Sequence, residues 1–174
     1  SCAAMLSSIL KFSGYKTGLY TSPYLFKFNE RMQINGKDIS DDALAAVVTR
    51  IAAAADTMED HPTEFELMTA AALLWYAEEK CDVVVLEVGM GGEFDATNII
   101  KCPEVAVLMN IGLDHTSVLG KTVEEITATK AGIIKPGCEC VSYRHSENID
   151  SIIAARCSEL GVRLTLADFD SIVT

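Results

Sequence analysis

Three stretches of this chain put residue types that can do chemistry at the end of an apolar run. The first is Thr21-Ser22-Pro23, two hydroxyls ahead of a proline. The second runs from Asp82 to Asn98. It opens as Val83-Val84-Val85-Leu86, takes in one carboxylate, Glu87, and passes through Gly89, Gly91 and Gly92 to Asp95, Thr97 and Asn98. The third follows Glu104–Met109 and reaches Asp114-His115 through Asn110-Ile111-Gly112-Leu113. A carboxylate at the carboxyl end of a buried strand is costly unless a metal ion or a cation pairs with it. The Ser22 hydroxyl, the Glu87 carboxylate and the His115 imidazole could together ligate Mg2+, although imidazole is an unusual companion for oxygen donors. The plainer alternative is that Ser22 ends a strand and His115 hydrogen-bonds within a loop.

The elements that must position these residues are readable from pattern. Residues 1–13 have a helical composition, with Met5, Leu6, Ile9 and Leu10 on one face and Gly14 as the stop. Lys16–Tyr20 reads as a short strand ended by Pro23. Residues 24–39 read as a long irregular connection with an Asn35-Gly36 turn, and long loops in compact domains are usually functional. Ser40 caps a helix over 41–55, with Leu44, Val47, Val48 and Ile51 inward. Thr63-Glu64-Phe65-Glu66 is a capping box for a helix reaching Lys80, which accounts for Glu66 without a site role. The β-branched run before Glu87 reads as a strand buried on both faces, as in a parallel sheet. Glu104–Met109 reads as a second buried strand. Thr122-Val123-Glu124-Glu125 is another capping box, opening a helix through Ala131. Strand 139–142, a helix capped by Ser146 and closed by Gly161, and strand 162–166 follow, with Ile149, Ile152, Ile153, Cys157 and Leu160 inward on that helix. Alternating strands and helices predict an α/β fold with a mostly parallel sheet flanked by helices. Ligands of such sheets bind beyond the carboxyl ends of the strands, where the three polar stretches fall.

Composition narrows the function classes. The chain has 174 residues, 49% of them hydrophobic, which suits one ordinary domain spanning 1–174. No apolar stretch approaches the ~18 residues of a membrane span, and no basic leader with a cleavage site is visible. The six cysteines, Cys2, Cys81, Cys102, Cys138, Cys140 and Cys157, form no CxxC pair, which suits reduced thiols in a cytoplasmic protein. The lone Cys138-x-Cys140 lacks the partner pair of a zinc site. A net charge of −11 argues against nucleic acid and anionic membranes as partners. It also means that an anionic substrate would need local cations or metal ions to reverse the field.

Six motifs in series carry a resemblance. Thr21-Ser22-Pro23, Phe28-Asn29-Glu30-Arg31, Leu86-Glu87-Val88-Gly89-Met90-Gly91-Gly92, Asp95-Ala96-Thr97-Asn98, Asn110-Ile111-Gly112-Leu113-Asp114-His115 and Lys130-Ala131-Gly132-Ile133-Ile134-Lys135-Pro136-Gly137 closely resemble folylpolyglutamate synthase, including its bifunctional dihydrofolate synthase form, in the Mur ligase superfamily. The resemblance implies a P-loop NTPase-like Mur ligase central domain. It implies an ATP-dependent ligase: ATP phosphorylates the carboxylate of a folate or of dihydropteroate, and the amine of L-glutamate attacks the acyl phosphate. Phosphorylation is needed because a carboxylate is a poor electrophile, and Mg2+ offsets the charge of the approaching anions. By the same resemblance Glu87, Ser22 and His115 are metal-site residues, with Asp114 a candidate orienting partner for His115. Lys130 matches a lysine carried as a carbamate, which would turn a cation into an anionic oxygen ligand. Thr21, Ser22, Pro23 and Arg31 belong to a stretch that resembles the folate-binding loop, although Arg31 could instead pair with Glu30 or Asp38. Asp95, Thr97 and Asn98 are expected to shape the turn after the glycines.

Departures from the pattern matter as well. Tyr24 replaces a histidine common in that loop, and Glu93 and Phe94 replace the commoner basic or leucine residues. Ser1 matches the final hydroxyl of the family's phosphate-binding loop, an ATP and Mg2+ ligand. The glycines and lysine that should precede it are not in the sequence, nor is a C-terminal ligase domain. The expectation is therefore a central domain incomplete at both ends, monomeric, and without turnover on its own. The alternatives are another Mur-type amino-acid ligase and a non-enzymatic nucleotide- or folate-binding remnant.

Overall fold

The computed structural model describes residues 1–114 and 116–167. The chain divides into two compact units, one covering Ser1–Gly89 and one beginning at Met90.

The first unit is a four-stranded sheet in the order β3-β2-β1-β4. The strands are β1 (Thr17–Tyr20), β2 (Met32–Ile34), β3 (Lys37–Asp38) and β4 (Val83–Leu86). Three helices accompany it: α1 (Cys2–Phe12), α2 (Asp41–Ala55) and α3 (Glu64–Glu78). The segment 24–39, expected to be irregular, instead holds a 3-10 turn at Phe28–Arg31 and the β2–β3 hairpin. Asn35 and Gly36 form its turn with φ of 52° and 73°, the left-handed pair that a two-residue hairpin needs. Strands of three and two residues are too short to display a period, so only the turn was visible in sequence. β2 pairs antiparallel with β1, while β1 pairs parallel with β4. This sheet is therefore mixed.

β4 is half-buried along its whole length, not buried on both faces, because it is the edge strand of this sheet. The α1 face also differs from expectation. The helix packs on β1 and β4 with Ser7 buried and Ala3 and Leu10 half-buried, and Met5 and Ile9 stay 64% and 63% exposed. Small side chains allow a helix to lie close to a sheet, and here they outrank the larger ones. The core joins Tyr20, Met32, Val47, Met68, Trp75 and Tyr76. The Tyr76 hydroxyl donates to Leu19 O at 2.6 Å. Its ring lies where a Cβ on Gly18 would come within 2.9 Å, so this strand position has room only for glycine. The capping box at Thr63–Glu66 forms as expected: Glu66 Oε2 accepts from Thr63 N at 2.7 Å and Thr63 Oγ1 accepts from Glu66 N at 3.3 Å.

The second unit is a parallel sheet in the order β5-β6-β7, formed by β5 (Val105–Leu108), β6 (Glu139–Tyr143) and β7 (Arg163–Ala167). Helices α4 (Val123–Ala131) and α5 (Glu147–Leu160) pack against each other. The core is Ala106, Leu108, Ile126, Cys140, Ile153 and Cys157 with their neighbours. β5 was expected to be wholly buried. It alternates instead: Ala106 and Leu108 point inward, while Val105 and Val107 are exposed. Only half of the second capping box forms. Thr122 Oγ1 accepts from Glu125 N, but the Glu125 carboxylate accepts from Lys121 N, one residue ahead of the cap. Ser146 precedes α5 with no side-chain capping bond, and Gly161 ends that helix at φ 65°. All six cysteines are free thiols. Burial pushes the Cys140 thiol up to about 12, so it is an unreactive core group.

Candidate functional site

In the first unit the site grows from the parallel pairing of β1 and β4. Their register places Tyr20 beside Leu86, so the residues that follow each strand leave the sheet side by side. Glu87 N donates to Tyr20 O at 2.9 Å, which carries the ladder one step further. Ser22 N then faces Glu87 Oε2 at 3.4 Å. Two of the three proposed metal-site residues thus meet through backbone pairing of two non-adjacent segments. Both are half-buried. The donor set, a hydroxyl and a carboxylate, suits a hard cation, and the Ser22 hydroxyl makes no hydrogen bond among the described residues. No cluster of three or more His, Cys, Asp or Glu suited to a metal ion occurs among the described residues.

Beyond Ser22 the peptide to Pro23 is cis, and the chain enters the segment that holds Arg31. Thr21 N donates to Arg31 O at 3.0 Å, tying the start of this segment to its end. Arg31 does not pair with Glu30 or Asp38. Its guanidinium lies over the rings of Tyr24 and Phe28, 5.3 and 5.4 Å from the centroids. Its Nε is buried and has no hydrogen-bond partner among the described residues. Glu30 is occupied elsewhere: its carboxylate accepts from the backbone N–H of Leu25, Phe26 and Lys27 at 2.9–3.3 Å. Those bonds, Leu25 first, hold its carboxyl below the usual range. Asn29 Nδ2 donates to Ile39 O at 2.8 Å and to Asp41 Oδ1 at 2.9 Å, stapling the turn to the start of α2. Sequence reasoning missed these duties of Asn29 and Glu30. The motif Phe28-Asn29-Glu30-Arg31 marked the residues but not what their side chains bond to. Beside them an open apolar groove is lined by Phe28, Leu44, Val48 and Met68, with Asp41 at its edge. Ser1 caps α1, its Oγ accepting from Ala4 N at 3.4 Å. Glu66 is spent on its cap, as the sequence implied, and Thr63 N–H holds its carboxyl low.

In the second unit the glycine-rich turn positions Lys130. A Cβ on Gly92 would come within 2.8 Å of both Thr129 O and Lys130 O, so only glycine lets these backbones approach. Glu93 N donates to Thr129 O at 2.9 Å, and Asn98 Nδ2 reaches Glu93 O and Gly132 O. Asp95 accepts from Met90 N, Thr97 N and Thr97 Oγ1. Asp95, Thr97 and Asn98 therefore shape the turn, as expected, and also lock it to the end of α4. Lys130 is half-buried, and its ammonium makes no hydrogen bond or ion pair among the described residues. The stretch after β5 begins with Ile111 in the core and continues through exposed Gly112, Leu113 and Asp114. His115, and with it the expected Asp114–His115 relation, lies outside the described residues.

Comparison with known proteins bears on this geometry. The family description "Mur ligase middle domain" matches residues 35–167. The chain belongs to the Mur ligase family. Among relatives of this Mur ligase chain, the dihydrofolate synthase/folylpolyglutamate synthase of Bacillus subtilis is 44% identical over 82% of this chain and 34% of that protein. The folylpolyglutamate synthase of Lacticaseibacillus casei is 37% identical over 98% of this chain and 41% of that protein. A solved FPGS–AMPPCP–folate complex superposes with a TM-score of 0.91 at 38% identity, over 96% of this chain and 42% of that one. The α/β fold and the resemblance read from six motifs are thereby supported. The Mur ligase chain spans about two-fifths or less of the length of these relatives.

Proposed function

We propose that the protein is an ATP-dependent ligase that joins L-glutamate to the carboxylate of a folate, or of dihydropteroate, through an acyl phosphate. The observation that carries this reading is the place of Glu87: half-buried, just past β4, with Ser22 N–H against its carboxylate. The relatives' names and the folate and AMPPCP of the solved complex supply the substrate class.

In this reading Ser22 and Glu87 hold Mg2+ through hydroxyl and carboxylate oxygens, and His115 keeps the metal-site role that the resemblance implies. When bound, the ion offsets the charge of the phosphates. Ser1, at the start of α1, contributes its hydroxyl to the nucleotide end. Lys130 acts as a carbamate. Among the described residues its amine makes no ion pair that would compete with that modification, and the glycine turn fixes the backbone that carries it. Thr21 and Pro23 shape the loop. Arg31, its guanidinium over the rings of Tyr24 and Phe28, presents a cation to an anionic acceptor. These local cations and metal answer the problem that a net charge of −11 poses for anionic substrates. The protein acts in the cytoplasm as a monomer, without nucleic-acid or membrane partners. Among the described residues no helix is long and apolar enough to cross a membrane.

The test is ATP- and Mg2+-dependent incorporation of glutamate into folate and into dihydropteroate by the full-length protein. Incorporation that Glu87→Ala abolishes is the expected result, and its absence in the parent protein refutes the reading. Residues 1–174 alone are expected to show no turnover, because they span so little of the relatives.

A further inference from the structure

We propose that His145 is a positioning residue that sets the loop leaving β5. The inference rests on the reading of that loop, Asn110–Asp114, as the approach to a metal-site residue. His145 lies just past β6, and its side chain is only 2% exposed. The Nε2 atom sits 3.1 Å from Ile111 N and 3.1 Å from Met109 O. One ring nitrogen cannot accept from the first and donate to the second at once, so the tautomer decides which group is held. The other nitrogen, Nδ1, faces Asp150 Oδ1 at 3.6 Å. Asp150 also accepts from His145 N at 3.0 Å, so the carboxylate is fixed in place. A proton on Nδ1 is attracted by that charge, which leaves Nε2 to accept the Ile111 N–H.

Among the described residues the Tyr143 ring lies edge-on to the imidazole at 5.8 Å, the Arg144 guanidinium stands 4.0 Å from Asp150 Oδ2, and Glu147 lines the same pocket. An apolar side chain would fill this place between β5, β6 and α5 without burying a polar ring. The histidine adds a hydrogen bond to Ile111, the last core residue before the exposed Gly112-Leu113-Asp114. Ile111 is thus fixed twice, by its side chain in the core and by its N–H on His145. The direction in which the following residues leave the sheet is fixed with it.

The experiment uses the full-length protein with His145→Phe, which keeps a ring and removes the acceptor, and His145→Gln, whose carboxamide offers oxygen to Ile111 N–H and N–H to Met109 O. His145→Phe is expected to speed amide exchange at Ile111 at least ~10-fold relative to Val141 in β6. It should also raise, several-fold, the Mg2+ concentration that half-saturates binding and ligation. His145→Gln should restore both. Unchanged exchange at Ile111 in His145→Phe overturns the proposal. So does faster exchange with an unchanged Mg2+ dependence, which is a purely structural role. Should His145→Phe fail to fold, nitrogen NMR of the histidine-labelled parent decides: a proton on Nδ1 of His145 supports the anchor, and one on Nε2 overturns it. If the parent protein shows no ligation, the functional reading fails while the exchange and NMR results still judge the anchor.

Discussion

Replacing Glu87 by Gln keeps the side-chain shape and removes its charge. Mg2+ affinity, read by calorimetric titration of the full-length protein, is expected to fall by at least ~10–100-fold, the range for losing a group that only supports a ligand, since Glu87 is read as a ligand itself. The melting temperature without Mg2+ should hardly move, since the backbone bond from Glu87 N to Tyr20 O is kept and the Gln carbonyl can still accept the long bond from Ser22 N. Lys130 offers an independent check. If it acts as a carbamate, removing bicarbonate lowers ligation in the parent protein and has no effect on what remains in Lys130→Ala. Glu30 makes a pH prediction. Its folded pKa is lowered, first by the Leu25 N–H and then by that of Lys27. Its contribution is therefore present above the unfolded carboxylate value and fades as pH falls through the lowered folded value. The amide resonances of Leu25 and Lys27 should titrate in that acidic window, and Glu30→Gln should abolish the titration.

Elements make their own demands. Gly92→Ala would drive a methyl group against the carbonyls of Thr129 and Lys130, which are backbone atoms and cannot swing away. Overpacking of this kind costs about 1–3 kcal/mol, measurable by denaturant unfolding. The β2–β3 hairpin gives a contrasting case. A Cβ on Gly36 meets nothing closer than Lys11 Nζ at 3.8 Å, but its φ of +73° is left-handed. Gly36→Ala should therefore cost about 1–2 kcal/mol through backbone strain alone. The turn at Asn35-Gly36 was readable in sequence because left-handed backbone selects such residues. The two strands around it were not, since five residues in total show no period. The α1 face was misjudged for a related reason: a hydrophobic stripe at Met5 and Ile9 says what is apolar, not which side can approach a sheet most closely.

At the scale of the whole molecule, the order of strands and helices other than β2 and β3 followed from alternating patterns, and the family followed from six motifs in order. Pairing did not. Nothing in the spacing of Ser22 and Glu87, 65 residues apart, says that β1 and β4 are neighbours. The lock of Gly92 and Asn98 on the end of α4 was equally hidden, because it depends on backbone atoms that every residue possesses. A ligand that binds only the folded state raises stability by mass action, about 2.7 kcal/mol at a hundred times its Kd. Mg2+ with a non-hydrolysable ATP analogue should accordingly raise the melting temperature of the full-length protein. Glu87→Gln should remove most of that rise.

Leu25 and Phe26 stand in solvent, 81% and 91% exposed, while the backbone beneath them is tied to both oxygens of one carboxylate. The disorder that such a loop would otherwise keep has already been surrendered during folding. A flat apolar ligand settling there has only two side chains left to immobilise, at roughly 0.5–1.5 kcal/mol each. A loop ordered in advance in this way would spare a ligand the entropy of fixing its backbone.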